Sequence, residues 1–196
     1  MSNIITIDYN GKQLLVDLDT MKVVDKEPVP TDFKSADYFL GLIHSTWMEH
    51  NLDYDDGEGG IARNPDHPEY GCYYTWEAAM RVAEKIPGWQ LPSVSDFDVL
   101  NLICGGSNVA GLHLKSLDWN GDDKASFGAL PSGSAHRNGD KIIWHNVGDF
   151  AGFWSSDELG KHAFRLRLGN KVFSVMEYSH KTSMYPIRLV RNTCKQ

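Results

Sequence analysis

The order of elements along this chain is that of an α+β domain, and three observations carry that expectation. An Asn-Gly turn separates two alternating apolar and polar runs near the start, two capped amphipathic helices follow in mid-chain, and a series of short strands begins after Ala125. With 196 residues, the chain is long enough to bury a core as one domain with an N-terminal appendage.

The elements follow in order. Residues Ile4 to Val24 alternate around Asn10-Gly11, a dipeptide whose residues tolerate the positive φ of a tight hairpin turn, so an N-terminal β-hairpin is expected. Pro28 and Pro30 interrupt any ladder or helix and read as a linker, which divides the chain into a hairpin and linker over 1–30 and a main domain over 31–196. Between Asp32 and Leu52, the spacing of Tyr38, Phe39, Leu42, Ile43 and Trp47 fits a helix and a buried strand equally well. The stretch from Asp53 to Pro68 is rich in Gly, Asp and Pro and reads as a long loop.

Thr75 can cap a helix whose inner face carries Ala79, Val82, Ala83 and Ile86 and which stops at Pro87-Gly88. Ser93-Val-Ser-Asp96 has the form of a capping box that opens a second helix, with Phe97, Leu100 and Ile103 on one side and Gly105-Gly106 at its end. Strands are expected at Phe127–Leu130, Lys141–His145, Ala151–Ser155, His162–Leu168, Lys171–Met176 and Tyr185–Val190, with tight turns at Asn138-Gly139 and Gly169-Asn170.

Composition narrows the function classes. A formal net charge of -7, from 26 acidic and 19 basic residues, disfavours a general affinity for nucleic acid or an anionic membrane. No apolar run approaches the roughly 18 residues of a membrane span, and the first residues lack the pattern of a secretory signal, so synthesis in a cytoplasm is expected. Cys72, Cys104 and Cys194 are odd in number and widely spaced, as free thiols would be; one bridge with a leftover thiol stays open.

Two loops carry oxygen donors. Asp118, Asn120, Asp122 and Asp123 surround Gly121, and either hold calcium or form a turn with solvated carboxylates. The spacing is not that of a complete calcium-binding loop, and no other cofactor is expected. Asp53, Asp55, Asp56 and Glu58 read as a flexible solvated cluster. No His-x-x-x-His pair, nucleophile elbow or reactive cysteine pair is present, so an enzyme is not expected.

Trp76, Trp89 and Trp154 lie in apolar surroundings and read as core. Alternation in His162–Leu168 sends Phe164, Leu166 and Leu168 to one face and Arg165 with Arg167 to the other, where the two arginines would project together. Joined with Glu177, Tyr178, His180 and Tyr185, and with His136, Arg137, Trp144 and His145 near the Asn138-Gly139 turn, they form the candidate ligand-binding set. Tyrosine, tryptophan, histidine and arginine are the side chains that build recognition surfaces.

Several ordered blocks point to a family. Trp47-Met-Glu-His-Asn-Leu, Tyr74-Thr-Trp-Glu-Ala-Ala-Met, Gly88-Trp-Gln-Leu-Pro-Ser, Leu114-Lys-Ser, Phe127-Gly-Ala-Leu-Pro-Ser-Gly, Gly152-Phe-Trp-Ser-Ser and Pro186-Ile-Arg-Leu-Val-Arg resemble, in order, the blocks of the FISUMP-type domain. That paralogous family of Bacteroidetes-like bacteria belongs with the C-type-lectin-like folds, so the resemblance implies such a fold and a stable core that carries a variable surface. It does not carry over calcium-mediated sugar binding, because the Glu-Pro-Asn and Gln-Pro-Asp triplets are absent. The function expected is non-enzymatic recognition of a host surface glycan or protein by a phage- or prophage-encoded, virion-associated protein, or otherwise a cytoplasmic one. The N-terminal hairpin would dock it to a larger assembly or a second copy. The alternative is a decoration protein that uses the same surface for protomer contacts.

Overall fold

The structure, a computed structural model, describes residues 4–9, 12–17, 22–23, 45–169, 171 and 174–192. Strands β1 (Ile4–Tyr9) and β2 (Lys12–Asp17) pair antiparallel with Tyr9 opposite Lys12, and β3 (Lys22–Val23) adds to β2; the expected Asn10-Gly11 turn itself lies outside the described residues. The Pro28 and Pro30 linker and the ambiguous segment up to residue 44 lie outside the described residues.

The rest of the described chain mixes helices with small antiparallel sheets, an α+β arrangement. Strand β4 (Ser45–Trp47) pairs with β13 (Val190–Asn192), and β5 (Ile61–Arg63) pairs with β6 (Cys72–Tyr74). Helix α1 (Trp76–Glu84) is capped by the Thr75 side chain, which accepts from the Ala78 N–H. Helix α2 (Val94–Ile103) opens on the expected capping box of Ser93 and Asp96 and ends where Gly105 and Gly106 take positive φ. A short helix α3 (Ala110–Leu114) follows.

Strands β7 (Ser134–Asn138) and β8 (Lys141–His145) form a hairpin, with β12 (Ser183–Met184) on the far side of β7. Asn138 pairs with Lys141, so the central turn residues are Gly139 and Asp140 rather than the expected Asn138 and Gly139. Gly139, at φ +59, supplies the positive φ at the first central position.

The largest described sheet has the order β11 (Ser174–His180), β10 (His162–Leu168), β9 (Ala151–Leu159). Both of its faces are covered. Phe153, Leu166 and Leu168 join Phe97, Leu100, Trp119 and Phe127 on one side, while Trp154 and Ala163 join Tyr74, Val82, Tyr185 and Leu189 on the other. The Trp154 indole donates to the Tyr74 carbonyl at 2.8 Å, which lets a polar atom sit in the apolar layer.

The β9 to β10 ladder slips by two residues, because Ala163 faces Glu158 but Arg165 faces Trp154. The extra residues of β9, within Ser155 to Asp157, leave the ladder and turn to the helices. The Ser155 carbonyl accepts from the Trp76 indole, Ser156 N–H donates to the Pro92 carbonyl, and the Asp157 carboxylate accepts from the first N–H of α2, at Val94. The bulge thus fixes both helices to the sheet. Phe164 lies opposite it and is only half-buried, unlike the fully buried Leu166 and Leu168.

Three expected features differ. Phe127–Leu130 is not a strand; Ala129 makes one parallel bridge to Lys115, and Phe127 is buried. Tyr185–Val190 is largely irregular because Pro186 has no N–H to donate, and the Ile187 and Leu189 carbonyls accept instead from Leu52 and Met48. Trp76 and Trp89 are half-buried rather than core, with the Lys181 ammonium 4.1 Å from the Trp76 ring and the Arg191 guanidinium 5.1 Å from Trp89.

Candidate functional site

Arg165 and Arg167 share one face of β10, as the alternation requires, but they do not project together. Arg165 is 8% exposed. Its guanidinium lies 4.6 Å from the Tyr185 ring and 5.5 Å from Phe150, and Nη2 donates to Glu177 at 2.8 Å. Nε and Nη1 are buried with no hydrogen-bond partner among the described residues. Burial lowers the Arg165 pKa, which the Glu177 charge opposes. Gly152 makes this packing possible, since a Cβ there would come within 2.6 Å of Tyr185 Cδ1 and 3.2 Å of Arg165 Nη1.

Arg167 is half-buried and sits between Gly152 on β9 and Val175 on β11, so neither neighbouring strand sets a carboxylate opposite it. Its guanidinium lies 5.2 Å from the Phe150 ring, and no ion pair or hydrogen bond to its side chain is found among the described residues. The structure therefore brings together Arg165, Arg167, Glu177 and Tyr185 from the expected set, and adds Phe150, Ser179 and Ser183. The Ser179 hydroxyl reaches both Ser183 and the Tyr185 hydroxyl at 3.2 Å.

Tyr178 and His180 belong elsewhere. Residues facing one another across an antiparallel pair share a face, so Tyr178 goes with Phe164, and His180 with His162, on the side opposite Arg165. Tyr178 is 62% exposed and Leu159, paired with His162, is 59% exposed. The His162 ring stands edge-on to both Tyr178 and His180 at 5.6 Å. Sequence reading missed Leu159 and His162, although His162 has the parity of Phe164 in the alternation. Among the described residues, strand β11 lies at one edge of its sheet, with Arg165 and Arg167 beside it on one face and Tyr178 on the other.

The remaining candidates form a separate group on the β7–β8 hairpin. Trp144 is half-buried, edge-on to Tyr73 at 4.9 Å. His136 and His145 stack at 4.8 Å and share a hydrogen bond of 2.8 Å, and Arg137 is exposed.

The two acidic loops are occupied by the protein's own groups. His113 and Lys124 hold Asp122: burial alone would raise its pKa, but hydrogen bonds from these residues outweigh that and lower it. Asp123 accepts from the Gly128 N–H at 2.6 Å, while Asp118 and Asn120 are exposed. Among the described residues, no group of three or more His, Cys, Asp or Glu side chains is placed to hold a metal ion.

The loop after Asp53 is largely exposed, as expected, but its Asp56 carboxylate is held by cations of the protein's own. Arg81 and Lys85, four apart on the α1 side, both reach Asp56, which places its carboxylate well below the usual range, first through Arg81 and then through Lys85. Cys72 donates to Asp53, and burial pushes both Cys72 and Cys104 up to about 12, as structural thiols. Cys194 lies outside the described residues.

The sequence blocks converge on Arg188, which is 1% exposed. Its guanidinium lies 4.3 Å from the Phe127 ring and 5.6 Å from Phe153, and Nη2 donates to the Asn51 side-chain oxygen at 2.8 Å. Asn51 in turn donates to the Tyr70 carbonyl. Trp47 packs on Phe127 at 5.6 Å and on Phe97 at 5.3 Å. Residues of four blocks, remote in sequence, thus lock around one buried cation.

The described chain is a mixed α+β protein whose block residues serve its interior. Residues 44–191 match the family model of the Fibrobacter succinogenes major domain, and the chain belongs to that family. No curated protein matches the chain, and no solved structure does.

Proposed function

We propose that this protein is a non-enzymatic recognition module, in which an α+β body of C-type-lectin-like plan presents the β10–β11 edge to a glycan or protein on a host surface. One contrast carries the reading. Asn51, Phe127, Phe153, Trp154 and Arg188 face the interior, whereas Tyr178 and Leu159, beside His162 and His180, stay open to solvent at the end of a rigid sheet. An exposed tyrosine on a stiff strand gives contact area at small entropic cost. The three-stranded sheet of β1, β2 and β3 would attach the module to a larger assembly, such as a phage particle.

The test is binding to glycan arrays and host cells by the parent protein and by Tyr178→Ala, Arg167→Ala and Trp144→Ala. We expect Tyr178→Ala to weaken binding about tenfold or more, the loss typical of an interface anchor. Parental binding by all three variants, with unchanged circular dichroism, would remove the proposed surface. A second reading, assembly with other copies, draws on the edge positions of β11 and β8 in their sheets. Mass measurement in solution separates the two, since a closed ring that protects Tyr178 from modification would favour assembly.

A further inference from the structure

We infer that Arg167, supported by Arg165, is the contact for a singly charged oxyanion on the ligand, a carboxylate or sulfate ester carried on a sugar, so that the module prefers acidic to neutral glycans. The inference rests on the recognition reading and specifies the chemistry of its ligand. Two guanidiniums lie within 5.5 Å of the single Phe150 ring, from Arg165 at 5.5 Å and from Arg167 at 5.2 Å. Glu177 pairs with Arg165 at 2.8 Å and with no second cation among the described residues. One positive charge is therefore left over at this place, on a chain whose formal net charge is -7.

The positions around Arg167 keep that charge available. Gly152 has no side chain and Val175 has no polar atom, so the strand neighbours give the guanidinium no partner, and the space above Gly152 is taken by the Tyr185 ring and Arg165. Arg165 cannot turn to take the ligand itself, because Tyr185, Phe150 and Glu177 hold it under cover. It contributes as a fixed positive charge behind Arg167, and like charges held together are relieved by an anion. An arginine fork matches planar carboxylate and tetrahedral sulfate alike. One surplus charge suits a monoanion better than a dianionic phosphate monoester. The Ser179, Ser183 and Tyr185 hydroxyls on the same side add neutral hydrogen-bonding groups of the kind that sugar hydroxyls meet.

Titration calorimetry tests this on the full chain with four probes: an oligogalacturonate, the same oligosaccharide methyl-esterified, a sulfated oligosaccharide and a neutral glucan oligomer. The expected result is binding of the oligogalacturonate at least about tenfold tighter than its methyl ester, as a charge-assisted hydrogen bond would give, with the difference shrinking in ~0.5 M salt. Arg167→Ala should abolish the preference and Arg167→Lys should keep part of it, with the fold checked by an unchanged melting temperature. Equal binding of the sulfated probe identifies the shared oxyanion as the determinant; preference for the uronate alone identifies the carboxylate. Equal affinity for the charged probes and their neutral counterparts, or an unaltered preference in Arg167→Ala, overturns the inference. If the protein then still binds host cells through Tyr178, the recognition reading stands without it; if it binds neither cells nor any probe, both fall.

Discussion

The Arg188 guanidinium is closed in by Phe127, Phe153 and Asn51, whereas Arg167 lies 5.2 Å from the Phe150 ring, has no ion pair among the described residues and remains partly open to solvent. Arg165 stands between these extremes, as deeply covered as a core residue yet tied to a part-exposed carboxylate. The comparison separates two uses of one side chain. At Arg188 the planar cation acts as a rigid spacer between aromatic rings, and burial pushes its pKa down to about 9 although the Asp123 charge opposes the shift. At Arg167 the charge has no internal role, which is why that end of β10 is read as a surface for something else.

The sharpest way to break this contrast is truncation at the centre. Arg188→Ala should cost about 3–5 kcal/mol in urea unfolding, because it leaves a void between Phe127 and Phe153 and strips Asn51 of its donor. Arg188→Met, which retains most of the volume, should cost less than half of that. If the two variants are equal, the hydrogen bond to Asn51 outweighs the packing. Arg165→Ala should follow at about 2–3 kcal/mol, since it empties the space under Tyr185. Gly152→Ala should cost about 1–3 kcal/mol through the collision with Tyr185, and should also displace Arg165. Arg167→Ala should change unfolding free energy by less than about 0.5 kcal/mol, so that its whole effect appears in binding. A large stability loss in that variant would mean that Arg167, like Arg188, serves the interior.

Acid sensitivity gives a handle on the ion pairs between the Asp56 loop and α1. The Asp56 pKa is lowered in the folded protein, so its ion pairs with Arg81 and Lys85 contribute stability above the ordinary carboxylate range, and that contribution is lost as pH falls below about 4. Asp56→Asn should therefore flatten the acid limb of a melting-temperature profile while reducing stability at neutral pH. The measurement is a pH series of thermal melts for parent and variant.

What could be read from the sequence was mostly local. The Thr75 and Ser93 caps, the glycine stop after α2 and the alternation of β10 depend on neighbours within a few residues, and each was legible. The cover over Arg165 was not, because Tyr185 and Phe150 come from other segments and alternation gives a face without saying what lies on it. The strand Ser134–Asn138 escaped because Ser-Ala-His-Arg-Asn has only one apolar residue; its place is set by pairing to β8 and β12. The hold on Asp56 was hidden for a similar reason, since its partners Arg81 and Lys85 sit on and at the end of a helix two strands further along the chain. Of the candidate site, the residue types were legible, but the division into an arginine face, a tyrosine and histidine face and a separate hairpin required the sheet register.

The slip in β9 at Ser155 to Asp157 has a consequence for how the molecule can be altered. Because those residues are fastened to Trp76, Pro92 and Val94, and Lys181 ties Glu158 and Lys161 back to Trp76, the ribbon beyond them is anchored up to its exposed tip at Leu159 and Gly160. Lengthening or reshaping its tip would leave the anchor in place, so new loops could be grafted there, and natural variants could differ there, without retuning the interior.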